Sequence, residues 1–183
     1  MSISIDDNII GILENTMVRV YENNRNTFIP IQKIKKGTCC IVDNSSVFVK
    51  CVIKIKYNGP ACIYECDNYN SSLTPYYPIF YKNNLTFPMH ENLFQINSFA
   101  DVYIYNIFLE ENNHNNYIEL PGGIYAITLN NGIQNQIISH NYFGTNRVLN
   151  DFSKHPDWNN GFIQLESIKI IRNKSYEIIG IDY

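Results

Sequence analysis

The chain has 183 residues, of which 45% are hydrophobic and 17% charged, with a formal net charge of -3 and a pI near 5.8. This length fits one domain, or one domain with an appendage, and the apolar content excludes an intrinsically disordered chain. The slightly acidic balance argues against a protein that holds nucleic acid by bulk charge, and the sequence contains no apolar run long enough for a membrane span.

The amino terminus and the cysteines indicate a compartment. The first residues carry neither a basic region nor an apolar stretch, so the sequence predicts no signal peptide. The five cysteines are an odd number, and outside a secretory context free thiols in a reducing compartment are favoured over a disulfide framework: Cys39, Cys40, Cys51, Cys62 and Cys66. We therefore expect an intracellular protein, in the cytoplasm or in a virion, because the bias toward Asn, Ile, Tyr and Lys resembles that of A/T-rich genomes such as those of large DNA viruses.

The apolar residues follow a strand pattern along most of the chain. Alternating or short apolar runs predict strands at residues 16–20, 40–42, 47–56, 62–66, 79–81, 102–109, 124–129 and 176–181. Glycine, proline and asparagine predict the turns between them: Gly37, Gly59–Pro60, Asn83–Asn84, Gly122–Gly123 and Asn131–Gly132. Helical apolar spacing occurs late, at residues 145–154. The sequence thus predicts one compact all-β unit with a single short helix.

Several motifs occur in a particular order. They are Thr16-Met-Val-Arg-Val, Ile31-Gln-Lys-Ile-Lys-Lys-Gly, Leu73-Thr-Pro-Tyr-Tyr-Pro-Ile and Val102-Tyr-Ile-Tyr-Asn-Ile-Phe-Leu-Glu, with His114 downstream. This order resembles a Hint domain, the self-processing module of hedgehog proteins and inteins. The tail, Ser139-His-Asn-Tyr-Phe-Gly-Thr through Pro156-Asp-Trp-Asn-Asn-Gly, is similar to the Vint subfamily, found attached to von Willebrand type A domains. The resemblance spans about residues 11–180.

The resemblance implies a fold and a chemistry. The fold is a Hint-like horseshoe of short strands, with a leader at residues 1–10, a β core at 11–128 and a Vint-like extension with one short helix at 129–183 packed on the core. In the family, a cysteine at the first position of the domain attacks the carbonyl of the preceding residue and forms a thioester. A Thr-x-x-His motif, with an Asp and a His on a later strand, assists the reaction.

The sequence departs from that pattern at the positions that matter most. Counting back from Val18, the nucleophile position falls on Gly11, which has no nucleophile. Thr74 is kept, but the histidine of the Thr-x-x-His motif is replaced by Tyr77, whose phenol is a poor proton shuttle at neutral pH. Asn106 stands where inteins carry Asp, although Asn is compatible with Vint-like sequences. An engineered Cys-to-Gly change would explain position 11 but not Tyr77.

The remaining polar candidates have two interpretations each. His114 fits the later-strand histidine and His140 lies in the tail motif, and both are read equally well as catalytic remnants or as hydrogen-bonded structural groups. Thr74 begins a Thr-Pro turn, where its hydroxyl would satisfy backbone donors. Asn131 stands where the Vint pattern carries a histidine, and the terminal His-Asn pair that would release a downstream segment is absent.

The cysteines and lysines suggest no further chemistry. Cys62-x-x-x-Cys66 and the Cys39–Cys40 pair lack the Cys-x-x-Cys spacing of zinc sites, so the sequence predicts neither a metal nor a cofactor. Cys39 or Cys40 could be a displaced nucleophile, but within apolar strand sequence a cysteine usually behaves as a small hydrophobe. The lysines of residues 33–36 are expected in a solvated turn, and Trp158 is expected to pack the tail onto the sheet.

Three hypotheses follow. The first is a degenerate Hint/Vint-like domain that no longer cleaves and serves as a structural or protein-interaction module, with an unidentified protein partner and with neither nucleic acid nor membrane. The leader of ten residues before Gly11 favours it, because releasing a decapeptide is a strange purpose. The second is a self-processing domain with a missing or displaced nucleophile. The third is an unrelated all-β protein, and geometry decides: a Hint fold must bring Gly11, Thr74, Asn106 and His114 into one cleft.

Overall fold

The computed structural model describes residues 10–42, 45–110, 116–133, 135–137 and 140–183. Within these ranges the strands β1 to β14 are, in chain order, Ile12–Leu13, Met17–Glu22, Arg25–Pro30, Cys39–Val42, Ser45–Cys66, Ser71–Leu73, Ile79–Tyr81, Asn84–Thr86, Gln95–Leu109, Tyr117–Leu120, Ile124–Ile127, Phe162–Leu165, Lys169–Arg172 and Ile178–Asp182. The α-helix α1 spans Asn146–Phe152, and short 3-10 helices lie at Ile31–Lys33, Asp67–Tyr69, Pro88–His90 and Pro156–Asn160. The prediction of an all-β fold with one short helix is confirmed.

The strands form one large sheet and two small ones. The large sheet has the order β3-β2-β4-β5-β6-β1-β9, with β12 also paired to β5 and with β5 paired to β9. A second sheet has the order β10-β11-β7-β8, and β13 pairs with β14. The pairing of β12 with β5 is parallel, whereas β2 and β3 form an antiparallel hairpin.

Strands β5 and β9 form the longest ladder of the fold. They pair antiparallel from Val49–Leu109 to Glu65–Gln95, with shifts of register at residues 49–51 and 57–60. The predicted turn at Gly59–Pro60 is therefore wrong, because the chain continues in β5 through that point. Gly59 accommodates the irregularity with a φ of +108°, a conformation that other residues rarely adopt.

The hairpin of β2 and β3 was not predicted, because its turn carries no glycine. Asn23 and Asn24 occupy the turn with φ values of 53° and 61°. Two consecutive residues with positive φ are typical of the type I′ turn, and asparagine tolerates that region better than most residues. The consecutive asparagines Asn23 and Asn24 are therefore the sequence feature from which this turn could have been predicted.

Side-chain alternation along β5 and β9 divides the core into two clusters. On one face, Val52 and Ile107 join a cluster with strands β2, β4, β10 and β11. On the other face, Ile53 and Phe108 join a cluster with α1 and strands β12 and β14. Because successive residues of a strand point to opposite faces, this double burial explains the uninterrupted apolar runs at residues 51–53 and 107–109.

The residues from 142 onward cover the second face. Thr145 caps α1 by accepting a hydrogen bond from the backbone N–H of Arg147 at 3.1 Å. Phe108 packs against Phe152 of α1 and against Trp158, with ring centroids 5.6 and 5.2 Å apart. The expectation that Trp158 packs the tail onto the sheet is confirmed, while the boundaries of the leader, core and extension stay a prediction.

Two further observations concern the sequence expectations. All five cysteines lie in the described ranges and are free thiols. None of the helices in those ranges has both the length and the apolarity needed to cross a membrane.

We predict that Phe108→Ala lowers the free energy of unfolding by about 3–5 kcal/mol, because it leaves a cavity between the sheet and the C-terminal elements. Phe48→Ala is the matched control. Phe48 lies on β5, the strand that pairs with the strand of Phe108, but it is 47% exposed. We expect its substitution to change the free energy of unfolding by no more than about 0.5 kcal/mol. Urea denaturation of both variants measures the difference. Equal losses would contradict the placement of Phe108 in the second cluster.

Candidate functional site

The register of β1 places Gly11 between two strands. Ile12 pairs with Leu73 of β6 on one side and with Tyr105 of β9 on the other, and both pairings are antiparallel. One residue toward the amino terminus, Gly11 therefore lies opposite Thr74 and opposite Asn106. Strand pairing thus brings together three of the four positions that the Hint resemblance requires in one cleft; the fourth, His114, lies outside the described residues.

Both sides of the peptide bond between Ile10 and Gly11 are held by hydrogen bonds. The Gly11 N–H donates to the Thr74 Oγ1 at 3.0 Å, and the Thr74 N–H donates to the Gly11 carbonyl at 3.0 Å. The Asn106 Nδ2 donates to the Ile10 carbonyl oxygen at 2.8 Å. Thr74 thus contacts the nitrogen of this peptide bond, and Asn106 contacts its oxygen.

Asn106 is a polar residue in an apolar position. It lies on the same face of β9 as Ile104 and Phe108, and only 1% of its surface is exposed. Its Oδ1 is buried and has no hydrogen-bond partner among the described residues, so the side chain is held through Nδ2 alone. A donor aimed at a carbonyl oxygen sits where negative charge would develop if that carbonyl were attacked.

The space beside Gly11 is filled by Ile104. A Cβ added at Gly11 would lie 2.8 Å from the Ile104 Cβ, 3.0 Å from its Cδ1 and 3.2 Å from its Cγ1. The first of these distances is shorter than real Cβ contacts, and the backbone of β9 fixes the position of the Ile104 Cβ, so side-chain rotation cannot relieve it. A cysteine at position 11 would therefore require the strands to shift.

The Tyr77 side chain is buried in the core. Its backbone N–H donates to the Thr74 carbonyl at 3.1 Å, which forms the turn after β6, but its side chain lies in the first core cluster and is 1% exposed. Burial raises the pKa of the Tyr77 phenol well above its usual value. The phenol therefore stays protonated at neutral pH and is out of contact with solvent.

The His140 side chain stabilises a turn, and its hydrogen bonds within the described part of the chain go to neither Thr74 nor Asn106. Its Nδ1 accepts hydrogen bonds from the backbone N–H groups of Tyr142 and Phe143, each at 3.0 Å. Partial burial lowers the pKa of the His140 imidazole, and the positive charge of Arg172 lowers it further by a smaller amount. A neutral imidazole whose Nδ1 is an acceptor carries its proton on Nε2. His140 and Ile10 both line the same cavity.

Two sequence candidates and the question of a metal site remain. Asn131 is buried, its Nδ2 donates to the Thr128 carbonyl at 2.8 Å, and its Oδ1 accepts from the Ile133 N–H at 2.8 Å, so it holds a turn. His114 lies outside the described residues. Within the described part of the chain, no cluster of His, Cys, Asp and Glu side chains could hold a metal ion.

Sequence reasoning missed Ile104. The residue stands in the predicted strand at 102–109 and looks like any core isoleucine. Its significance depends on the pairing of β1 with β9, which joins residues about ninety positions apart, and no local pattern reveals that. The polar Asn106 between two apolar same-face neighbours, Ile104 and Phe108, was the available signal that this part of β9 faces something polar.

We predict that Thr74→Val lowers the free energy of unfolding by about 1–3 kcal/mol, because it removes the acceptor of the buried Gly11 N–H while keeping the side-chain shape. Thr74→Ser keeps the hydroxyl and should retain most of the stability. Chemical denaturation compares the two. A Val variant as stable as the Ser variant would contradict the hydrogen bond.

We predict that Cys40 and Cys51 resist alkylation in the folded chain. Burial raises the pKa of each thiol from 9.0 to about 12, so the thiolate fraction at pH 8 falls about 1000-fold, and the reaction rate falls with it. Iodoacetamide labelling with peptide mapping, in buffer and in urea, measures this. If either cysteine reacts first in the folded chain, it becomes a candidate displaced nucleophile.

Comparison with known proteins agrees with this geometry. The Vint family model, described as a Hint-domain, matches residues 12–180. No curated protein matches the chain. The matched range begins one residue after Gly11 and contains Thr74, Asn106 and α1. The all-β fold with its short helix is the one that the resemblance implied. The chain therefore belongs to the Vint family of Hint domains.

Proposed function

We propose that this Hint domain does not cleave the chain at Gly11 and acts as a structural or protein-interaction module. The observation that carries the proposal is the contact at Gly11, where Ile104 fills the space that a nucleophilic side chain would need. The absence of a thiol at position 11 is thus accompanied by packing that closes the vacated space.

Two further features support the proposal. Tyr77, at the histidine position of the family motif, is buried in the core and keeps its proton at neutral pH. Cys40 and Cys51 are buried with raised thiol pKa values, which disfavours their use as displaced nucleophiles. Of the described residues, Tyr77, Cys40 and Cys51 are therefore poorly suited to serve the peptide bond that Thr74 and Asn106 hold as proton shuttle or nucleophile.

An exposed aromatic face supports a role in protein binding. By strand register, Tyr21, Phe28 and Phe48 lie on one face of the β3-β2-β4-β5 part of the sheet, opposite the first core cluster. They are 48%, 37% and 47% exposed. Aromatic side chains are enriched in protein interfaces, and neighbouring exposed ones are more informative than scattered ones.

The alternative function is self-processing by a displaced nucleophile. One observation favours it: the Ile10 carbonyl still accepts a hydrogen bond from Asn106, and the Gly11 N–H still donates to Thr74. The oxygen and nitrogen contacts that would assist cleavage are therefore in place, although position 11 supplies no attacking group.

Intact-mass measurement separates the two functions. The purified chain is incubated with and without a thiol or hydroxylamine, over hours and at several pH values. We expect one species at the full mass of 21.3 kDa under every condition. A fragment beginning at Gly11 would overturn the proposal and establish the alternative.

Restoring the chemistry tests the contact at Ile104. We compare the double variant Gly11→Cys/Tyr77→His with the triple variant that also carries Ile104→Gly, which removes all three atoms that a Cβ at position 11 would meet. We expect thiol-dependent cleavage to be about 100-fold faster with Ile104→Gly, because a misplacement of about 1 Å costs that much. The control is Gly11→Ala with Tyr77→His and Ile104→Gly, which lacks the thiol and should stay intact. Equal rates with and without Ile104→Gly would contradict the role of Ile104.

A further inference from the structure

Asn106 has one buried polar atom that lacks a partner. Its Nδ2 donates to the Ile10 carbonyl oxygen at 2.8 Å, whereas its Oδ1 is buried and accepts no hydrogen bond from the described residues. Buried polar atoms in folded proteins are nearly always hydrogen-bonded, because an unpaired one has given up its bonds to water without replacement. The Asn106 Oδ1 therefore needs a hydrogen-bond donor.

Turning the Asn106 amide over does not remove this need. The Ile10 carbonyl oxygen is an acceptor only, so it attracts the N–H groups of Nδ2 and repels Oδ1. A half-turn of the amide would place the two oxygens against each other and lose the 2.8 Å hydrogen bond. The Ile10 carbonyl therefore holds Nδ2 on its own side and leaves Oδ1 directed elsewhere.

A small cavity lies beside Asn106. Its volume is about 20 Å³, and Asn106 and Ile10 both line it. A single water molecule needs about 10–15 Å³ of such space, so the cavity has room for one. The other described residues that line it are apolar and include Leu129, Phe143 and Phe152. Asn106 thus contributes the polar side chain of this cavity.

A water molecule in the cavity has more than one hydrogen-bond partner. It can donate one hydrogen to the Asn106 Oδ1 and the other to the Ile10 carbonyl oxygen, which carries a second lone pair. Ile168 also lines the cavity, lies between β12 and β13, and takes part in none of the turn and loop hydrogen bonds between backbone groups of the described residues. Its backbone can supply a third contact, and buried waters typically make about three.

We propose that one ordered water molecule occupies this cavity and donates a hydrogen bond to the Asn106 Oδ1. The water satisfies the buried oxygen and holds the amide in the orientation in which Nδ2 faces the Ile10 carbonyl. Asn106 and the water then act as one unit on the peptide bond between Ile10 and Gly11. The proposal concerns the binding of water alone and holds whether or not the chain cleaves at Gly11.

Overhauser spectra of the full chain, recorded with selective excitation of water, test whether the water is bound. A water molecule held inside a protein gives nuclear and rotating-frame Overhauser cross-peaks of opposite sign to nearby methyl protons, whereas rapidly exchanging surface water does not. We expect such cross-peaks from water to the methyl groups of Leu129 and Ile170, which both line the cavity. Their absence from the unsubstituted chain would overturn the proposal.

Two substitutions locate the water. Asn106→Leu removes the acceptor and keeps a side chain of similar size, so we expect the cross-peaks to be lost, and cross-peaks that persist would overturn the hydrogen bond to Oδ1. Ile168→Phe keeps Asn106 and fills the cavity with a larger side chain. Ile179→Phe is its matched control, because Ile179 is 45% exposed and is not among the residues that line the cavity.

The resonances of the Asn106 Nδ2 group test whether the water holds the amide. In Ile168→Phe we expect loss of the water cross-peaks together with a shift of these resonances, and in Ile179→Phe we expect neither change. Equal spectra for the two variants would overturn the proposal. A loss of the cross-peaks that leaves the Nδ2 resonances in place would also overturn it, because the water would then not hold the amide.

Discussion

Strands β5 and β9 form the longest ladder of the fold, and the section that pairs residues 51–53 with residues 106–108 carries buried side chains on both faces. This ladder is the constraint on which the other elements depend. Val52 and Ile53 are successive residues with no exposed surface, so each face must be covered by a different group of elements. Strands β2, β4, β10 and β11 cover one face, and α1 with β12 and β14 covers the other.

The same ladder determines where the candidate site lies. The short strand β1 fits between β6 and β9, so its neighbours are fixed by the strands that flank it. Thr74 and Asn106 reach the peptide bond at Gly11 because antiparallel pairing brings both to the same level. A site built from strand ends in this way needs no long loops to position its groups, and rigid elements hold such groups more accurately than loops do.

Much of the fold could be predicted because alternation is a local property. The strands around residues 47–56 and 102–109 and the helix near residue 146 follow from side-chain spacing alone. The predicted turn at Gly59–Pro60 was wrong because a glycine in a strand signals either a turn or an irregularity, and the sequence does not distinguish the two. Gly11, Thr74 and Asn106 could be located by motif order, and the structure brings them together. Ile104 could not, since its importance depends on a contact between distant strands.

The packing of Ile104 against Gly11 also constrains how this sequence can change. A single substitution to cysteine at position 11 meets the Ile104 Cβ before it can contribute any reactivity. A substitution at position 104 alone leaves a void in the second core cluster and gains nothing. Each of these changes is unfavourable on its own, so the side chains that positions 11 and 104 can carry depend on each other.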